Sequence, residues 1–213
     1  MRRPPDLFAA DLSNKNLREA DLSGANLEKA DLSGADLSGA DLTRANLKKA
    51  TLVKADLSES ILAYAQLKDA ILRNAILKNA DLHNALMIKA DLTEANLEGA
   101  NLHAENLTKA VMVKANLQNA DLGNAIMTDV DLTNANLRGA DLSRANLRMA
   151  NLTGADLEDE NLTNANLVNA KMIGADLSRS DLRRANLSGA DLTDAKLIET
   201  KLTYANLRGT NLE

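Results

Sequence analysis

The sequence predicts an all-β solenoid that turns once every five residues and stacks its turns around one Leu and Ala core. Three observations lead there. From Leu7 to Leu212 every fifth residue is Leu or Met, 42 positions with no insertion or deletion, of which only Met87, Met112, Met127 and Met172 are not Leu. Two residues before each of these sits a small position, mostly Ala, and the residue in between is Asp sixteen times and Asn fifteen times. Two residues after each, Gly occurs nine times and Asn nine times.

The spacing of five settles the class. On an α-helix, residues five apart advance by about 500°, so the leucines would scatter around the circumference instead of lining one face. On a long strand five is odd, so successive leucines would alternate between faces. A turn within each repeat removes both conflicts. The residue two after Leu supplies it, because Gly and Asn tolerate the positive φ that a type II turn requires at its third position. Each repeat is therefore a short extended piece, Ala and Leu inward and Asp or Asn outward, closed by a tight turn. Composition agrees: 213 residues hold one Phe, two Tyr and no Trp, so Leu and Ala must fill the core, and so uniform a set packs well only in repeated, identical slots.

The phrase Ala-(Asp/Asn)-Leu-x-x, as in Ala20-Asp21-Leu22-Ser23-Gly24 and Ala145-Asn146-Leu147-Arg148-Met149, resembles the pentapeptide-repeat proteins over almost the whole chain. The resemblance implies a right-handed quadrilateral β-helix with four pentapeptides per coil and about ten coils. At a strand spacing of ~4.8 Å the rod is then roughly 50 Å long. Residues 1–5 are read as an N-terminal tail and residues 6–213 as a single solenoid.

With twenty residues per coil, positions differing by twenty stack, and the outward residues separate into columns. One column runs Asp6, Asn26, Asn46, Gln66, Leu86, and its asparagines are placed to bond as a ladder. No more than two Asp follow one another in any column, which limits like-charge repulsion. Three inward small positions hold charges, Lys15, Glu105 and Glu160. Burying an unpaired charge is costly, so each is expected to bulge its coil or to reach outward along its own stem.

Several function classes lose their support. The chain has no cysteine, which removes disulfides and thiolate chemistry. Net charge is −5 and spread evenly, with no basic footprint for direct nucleic-acid binding. No window approaches a membrane-spanning length. Met1-Arg2-Arg3-Pro4-Pro5-Asp6 lacks an apolar run and is not read as a signal peptide, so the cytoplasm is the expected compartment. Ser23, Ser33 and Thr43 are turn hydroxyls without a positioned base, and no catalytic residue is assigned. His83 and His103 stack one coil apart with Glu105 nearby, but both sit at solvent-facing turns and do not converge, so no metal or other cofactor is expected.

What remains are departures from the repeat. Ile61, Ile71, Ile76, Leu86, Val111 and Ile126 stand at Asp/Asn sites within one stretch. Such residues suit exposed strand positions in any case. Alternatively Ile71, Leu86, Val111 and Ile126, with the turn residues Ile88 and Val113, form an apolar strip on adjacent faces that marks a partner surface. The expected function is a non-catalytic structural or protein-interaction module whose protein partner is unidentified. The alternative, implied by one branch of the resembling family, is a DNA mimic that inhibits or protects DNA gyrase or another type II topoisomerase. Against it, outside the sixteen structural Asp there remain 14 acidic against 25 basic residues, which neutralise much of the Asp field. Pro4 and Pro5 lack N–H donors and blunt the first coil's edge. Exposed edges invite pairing, and end-to-end stacking of the C-terminal coil into a homodimer is the expected mode of self-association.

Overall fold

The computed structural model describes residues 4–213 and is a β-helix solenoid. Its ordered unit is one repeat, and Ala30-Asp31-Leu32-Ser33-Gly34 shows how all five backbone N–H groups find acceptors. Ala30 donates to Leu27 O at 3.0 Å across the turn; Asp31 donates to Ala10 O at 2.9 Å in the preceding coil. Leu32 and Gly34 donate to Thr51 O at 2.7 Å and Val53 O at 2.9 Å in the following coil. The fifth donor, Ser33 N–H, is taken by Asp31 Oδ1 at 2.9 Å. A buried or half-buried chain must satisfy these groups, and here each repeat does so with two neighbouring coils and one side chain of its own.

Positions twenty residues apart pair as parallel bridges, from Asp6 with Asn26 to Asp191 with Asn211. They form four ladders, here ladder 1 (Asp6, Asn26 to Asn206), ladder 2 (Asp11 to Asn211), ladder 3 (Asn16 to Lys196) and ladder 4 (Asp21 to Lys201). The turn residues that follow each ladder make turn rows 1 to 4. Among the described residues each repeat contributes a single bridged residue rather than a longer strand. Two of every five residues are spent in the turn, which leaves no room for more.

Every fifth residue from Ala9 to Gly209 has φ between 52° and 75°, whatever its side chain. Glycine is needed most where the preceding coil crowds it. A Cβ on Gly99 would lie 2.5 Å from Asn79 Oδ1, whereas one on Gly174 would meet nothing within 4 Å. The Leu, Met and Ala side chains from Leu22 to Leu192 form one continuous buried core. Each buried Leu is worth about 1.5–3 kcal/mol relative to exposure.

The three inward charges divide: Lys15, in the first coil, is exposed, whereas the two glutamates stay inside and disturb their coils. Glu105 and Glu160 do not reach outward; both are buried, at 0% and 1% exposure. Burial pushes each carboxyl up to about 9, so each is protonated and uncharged at neutral pH. The ladders are disturbed around them. Asn106 N–H leaves the regular acceptor and bonds to Glu105 Oε1 at 3.1 Å. Near Glu160 the bonds expected from Gly139 N–H and Asn161 N–H to the adjoining coils are missing, and neither carboxyl oxygen gains a partner. Ser60 and Ser180 occupy the same kind of slot without disturbance, because each hydroxyl donates to the carbonyl three residues back, at 2.7 and 2.5 Å.

Candidate interaction surface

The outward Asp and Asn are placed by the backbone they serve. Each accepts the N–H two residues ahead, as in Ser23 to Asp21 Oδ1 at 3.1 Å and His103 to Asn101 Oδ1 at 3.1 Å, an Asx turn. In several repeats a Ser or Thr at that position also donates its hydroxyl to the same oxygen, as Ser38 does to Asp36 at 2.6 Å and Thr193 to Asp191 at 2.6 Å. These bonds stabilise the ionised carboxylate and hold Asp36 and Asp191 below their ordinary range. Asp176 is lowered to about 2, first by the Ser178 hydroxyl and then by the Lys196 ammonium at 3.0 Å. The expected Asn ladder is present in part: Asn116 donates to Asn96 at 3.1 Å and Asn206 to Asn186 at 3.0 Å. Asn also caps Asp, as Asn161 does Asp141 at 2.8 Å. In every such pair the later coil donates to the earlier one.

The apolar departures fall on all four ladders: Ile61 on ladder 4 and Ile76 on ladder 3 stand apart, both exposed, and the expected strip lies on ladders 1 and 2. Leu86 and Ile126 lie in ladder 1, exposed at 44% and 43%, with Asn106 bridged between them. Ile71, exposed at 37%, and the half-buried Val111 lie in ladder 2 with Asp91 between them. Asp91 is held by Arg73 at 2.5 Å. Ile88 and Val113 are half-buried turn residues of rows 1 and 2. Polar residues thus interrupt each apolar pair, and turn row 1 runs between the two pairs.

That row is basic, a feature hidden in the linear sequence. Between residues 28 and 109 it carries Lys29, Lys48, Lys49, Lys68, Lys89 and Lys109 against Glu28 and Asp69. Among the described residues none of these six lysines makes an ion pair, and a depression of about 280 Å³ opens among Glu28, Lys48, Lys49, Lys68 and Asp69. Row 3, two ladders away, is the opposite. All its basic residues are paired: Arg18 with Glu19 at 3.8 Å, Lys78 with Glu98 at 3.1 Å, Arg138 with Glu158 at 2.6 Å and Arg179 with Asp159 at 2.8 Å. A spacing of twenty between lysines is the signal that reveals the row in sequence.

Row 4 gathers both His and both Tyr. His83 Nδ1 bonds Asp81 at 2.8 Å and stacks edge-on to Tyr64; His103 Nδ1 faces Asp121 at 3.3 Å. Glu105 turns inward, so the two imidazoles and that carboxyl are not brought together. Among the described residues no group of three His, Cys, Asp or Glu is placed to hold a metal. Near the last coils a depression of about 520 Å³ is lined by Thr163, Asn164, Arg183, Arg184, Thr203 and Tyr204, with Arg183 bound to Asp181 at 2.6 Å. No helix among the described residues is long and apolar enough to cross a membrane. The last coil leaves Ile198, Tyr204 and Leu212 exposed.

The family profile described as Pentapeptide repeats (8 copies) matches in overlapping stretches, the first at residues 6–39 and the last at 175–213, which together span the chain from residue 6 to its end. A comparison with curated proteins finds no match. Among solved structures, HetL from the cyanobacterium Nostoc sp. strain PCC 7120, a pentapeptide repeat protein involved in heterocyst differentiation regulation, is similar at 40% identity and a TM-score of 0.92. It covers 92% of this chain and 89% of its own. Rfr23 from the cyanobacterium Cyanothece 51142 is 28% identical over 58% of this chain and 91% of its own, at a TM-score of 0.31. QnrB1, a plasmid-mediated fluoroquinolone resistance protein, is 16% identical over 98% of this chain and 92% of its own, at a TM-score of 0.44.

Proposed function

The chain belongs to the pentapeptide-repeat family, and from that membership we propose that it is a non-catalytic protein-interaction module, with a regulatory rather than enzymatic role. The observation that carries this reading is how side-chain chemistry is used along the rod. The ladder Asp and Asn accept the N–H two residues ahead and in many repeats also pair with a neighbouring coil, so their chemistry is spent on holding the rod. Such a module recognises a partner with its outer surface. The likeness to HetL, described as involved in the regulation of differentiation, supports a regulatory role. We take the solenoid to be right-handed and four-sided with about ten coils, on the strength of its twenty-residue register.

The partner is a protein, met in the cytoplasm through surface residues that include Ile71, Leu86, Ile88, Val111, Val113 and Ile126. Cross-linked affinity capture from the native host tests this: recovery of one stoichiometric protein supports the module, and recovery of none overturns it. A second copy is a further partner, through the exposed apolar Ile198 and Leu212 of the last described coil. Light scattering that shows only monomer at high concentration removes the dimer. The second functional reading is a DNA mimic for a type II topoisomerase. It draws on ladder 4, which carries Asp21, Asp41, Asp81, Asp121, Asp141 and Asp181. Unchanged gyrase supercoiling at micromolar protein rules it out.

A further inference from the structure

We propose that the lysine row between ladders 1 and 2, together with the apolar residues beside it, docks an acidic, partly apolar segment of a protein partner. This rests on the interaction-module reading and names the chemistry of the partner.

The case begins with how unevenly the basic residues are used. In row 3 each is neutralised by a carboxylate on its own or an adjoining coil. In row 1 the lysines fall in two adjoining columns, Lys48 with Lys68, and Lys29 with Lys49 followed beyond Asp69 by Lys89 with Lys109; none has such a partner among the described residues, and all but Lys48 are exposed. Lysines stacked at ~4.8 Å repel one another and reinforce a single field along the rod axis. An extended segment with carboxylates along its length relieves that repulsion and matches the row's direction.

The apolar residues narrow the partner further. Leu86 and Ile88 flank the inward Met87 and lead into Lys89, while Ile71 and Val111 lie across the row on ladder 2. At ladder positions an Asp or Asn would serve the backbone better, since each accepts the N–H two residues on. Leu86 gives up that bond to present an apolar side chain beside Lys68 and Lys89. Lysines mixed with aliphatic residues fit a segment that alternates acidic and apolar side chains. They fit nucleic acid poorly, because the row's single aromatic, Phe8, sits at its end with Lys29 5.3 Å over its ring, and none lies among the other lysines for bases to stack on. Glu28 and Asp69 within the row also repel phosphates.

The test uses the whole protein and a synthetic fluorescent peptide alternating Glu and Leu, read by anisotropy at low and high salt. The decisive variant combines Lys68→Glu, Lys89→Glu and Lys109→Glu. Its positions already accept Glu elsewhere in the repeat, as at Glu28 in the same row and at Glu59 and Glu94 with φ near 58°, so it folds. We expect the wild type to bind the peptide with affinity falling about tenfold from low to high salt, and the triple variant to lose at least about tenfold at low salt. Leu86→Asn should weaken binding while raising thermal stability, a combination that a purely structural role does not produce. Absence of peptide binding, equal binding by the triple variant, or tighter binding of a duplex oligonucleotide each overturns the proposal. If the triple variant still captures the native partner as well as the wild type, the docking site is wrong and the module reading stands; if the wild type captures none, the module reading fails with it.

Discussion

Replacing Glu160 by Ala should stabilise the protein, and by an amount that depends on pH. Glu160 occupies a slot that Ala or a hydroxyl residue fills in almost every other repeat, it is 1% exposed, and neither carboxyl oxygen has a hydrogen-bond partner. Burial pushes it from 4.5 to about 9; the Gly139 and Ala140 N–H groups restrain the shift without bonding well, and the carboxylates of Asp156 and Asp159 add to it. The native state therefore holds a proton that the unfolded chain releases above pH 4.5. Holding it costs about 1.4 kcal/mol for each pH step above 4.5, roughly 3 kcal/mol at pH 7 and about 6 kcal/mol at pH 9. Below pH 4.5 both states are protonated and the cost vanishes. Since the native form binds more protons throughout this window, stability falls as pH rises through it. Glu160→Ala removes its own share of the slope, leaving that of Glu105, relieves the crowded slot, and lets Gly139 N–H and Asn161 N–H return to their ladders. The assay is urea denaturation of both proteins at pH 5, 7 and 9. The variant should gain about 1 kcal/mol at pH 5 and about 3 kcal/mol or more at pH 7. A gain that stays constant across the three pH values would show that the carboxyl is not protonated in the folded rod, and the reasoning would be wrong.

Other expectations follow from the same structure. Ile61→Asn, between Asp41 and Asp81 on ladder 4, supplies an acceptor for Ala63 N–H and a donor toward Asp41, and should raise stability by about 1 kcal/mol in denaturant. Gly99→Ala places a Cβ against Asn79 Oδ1, while Gly174→Ala meets open space. The second should cost about 1 kcal/mol for its left-handed backbone alone, and a melting series in which the first is no more destabilising contradicts the packing described. Asp176 stays ionised to about pH 2; its contribution is present above its ordinary value of 3.8 and lost as pH falls toward 2, which carboxyl-carbon NMR of wild type and Lys196→Met can follow. In the variant the carboxyl should titrate at higher pH, because the ammonium that favours its charged form is gone.

Much of this architecture is legible from Leu7 onward, because a spacing of five with Gly and Asn two residues later admits few backbones. The positive φ at Gly34, Lys49 or Tyr64 follows from position, and the structure repeats it regardless of residue type. The role of Asp and Asn is less visible. Outward placement explains why they are polar, but only the geometry shows Asp31 Oδ1 taking the Ser33 N–H that no coil reaches. Glu160 escaped for a different reason: cost arguments favour sending a charge outward, yet neutralising it inside is the cheaper route once the backbone directs the side chain inward. The lysine row is faint in the sequence because net charge averages over all four ladders, and only the spacing of twenty sets Lys29 over Lys49.

The register described above separates two kinds of inheritance. The interior asks only that the chain advance in fives, since any Leu slot matches any other. The exterior is written in twenties, because Lys49, Lys89 and Lys109 align only when whole circuits separate them. Removing five residues in the middle of the chain would leave every interior contact in place while shifting all downstream charges onto the neighbouring ladder, severing the lysine row. Removing twenty would shorten the row and keep it straight. A lineage of such proteins can therefore change length freely in one currency and keep its recognition surface only in another, so the size of a natural insertion tells which of the two selection has guarded.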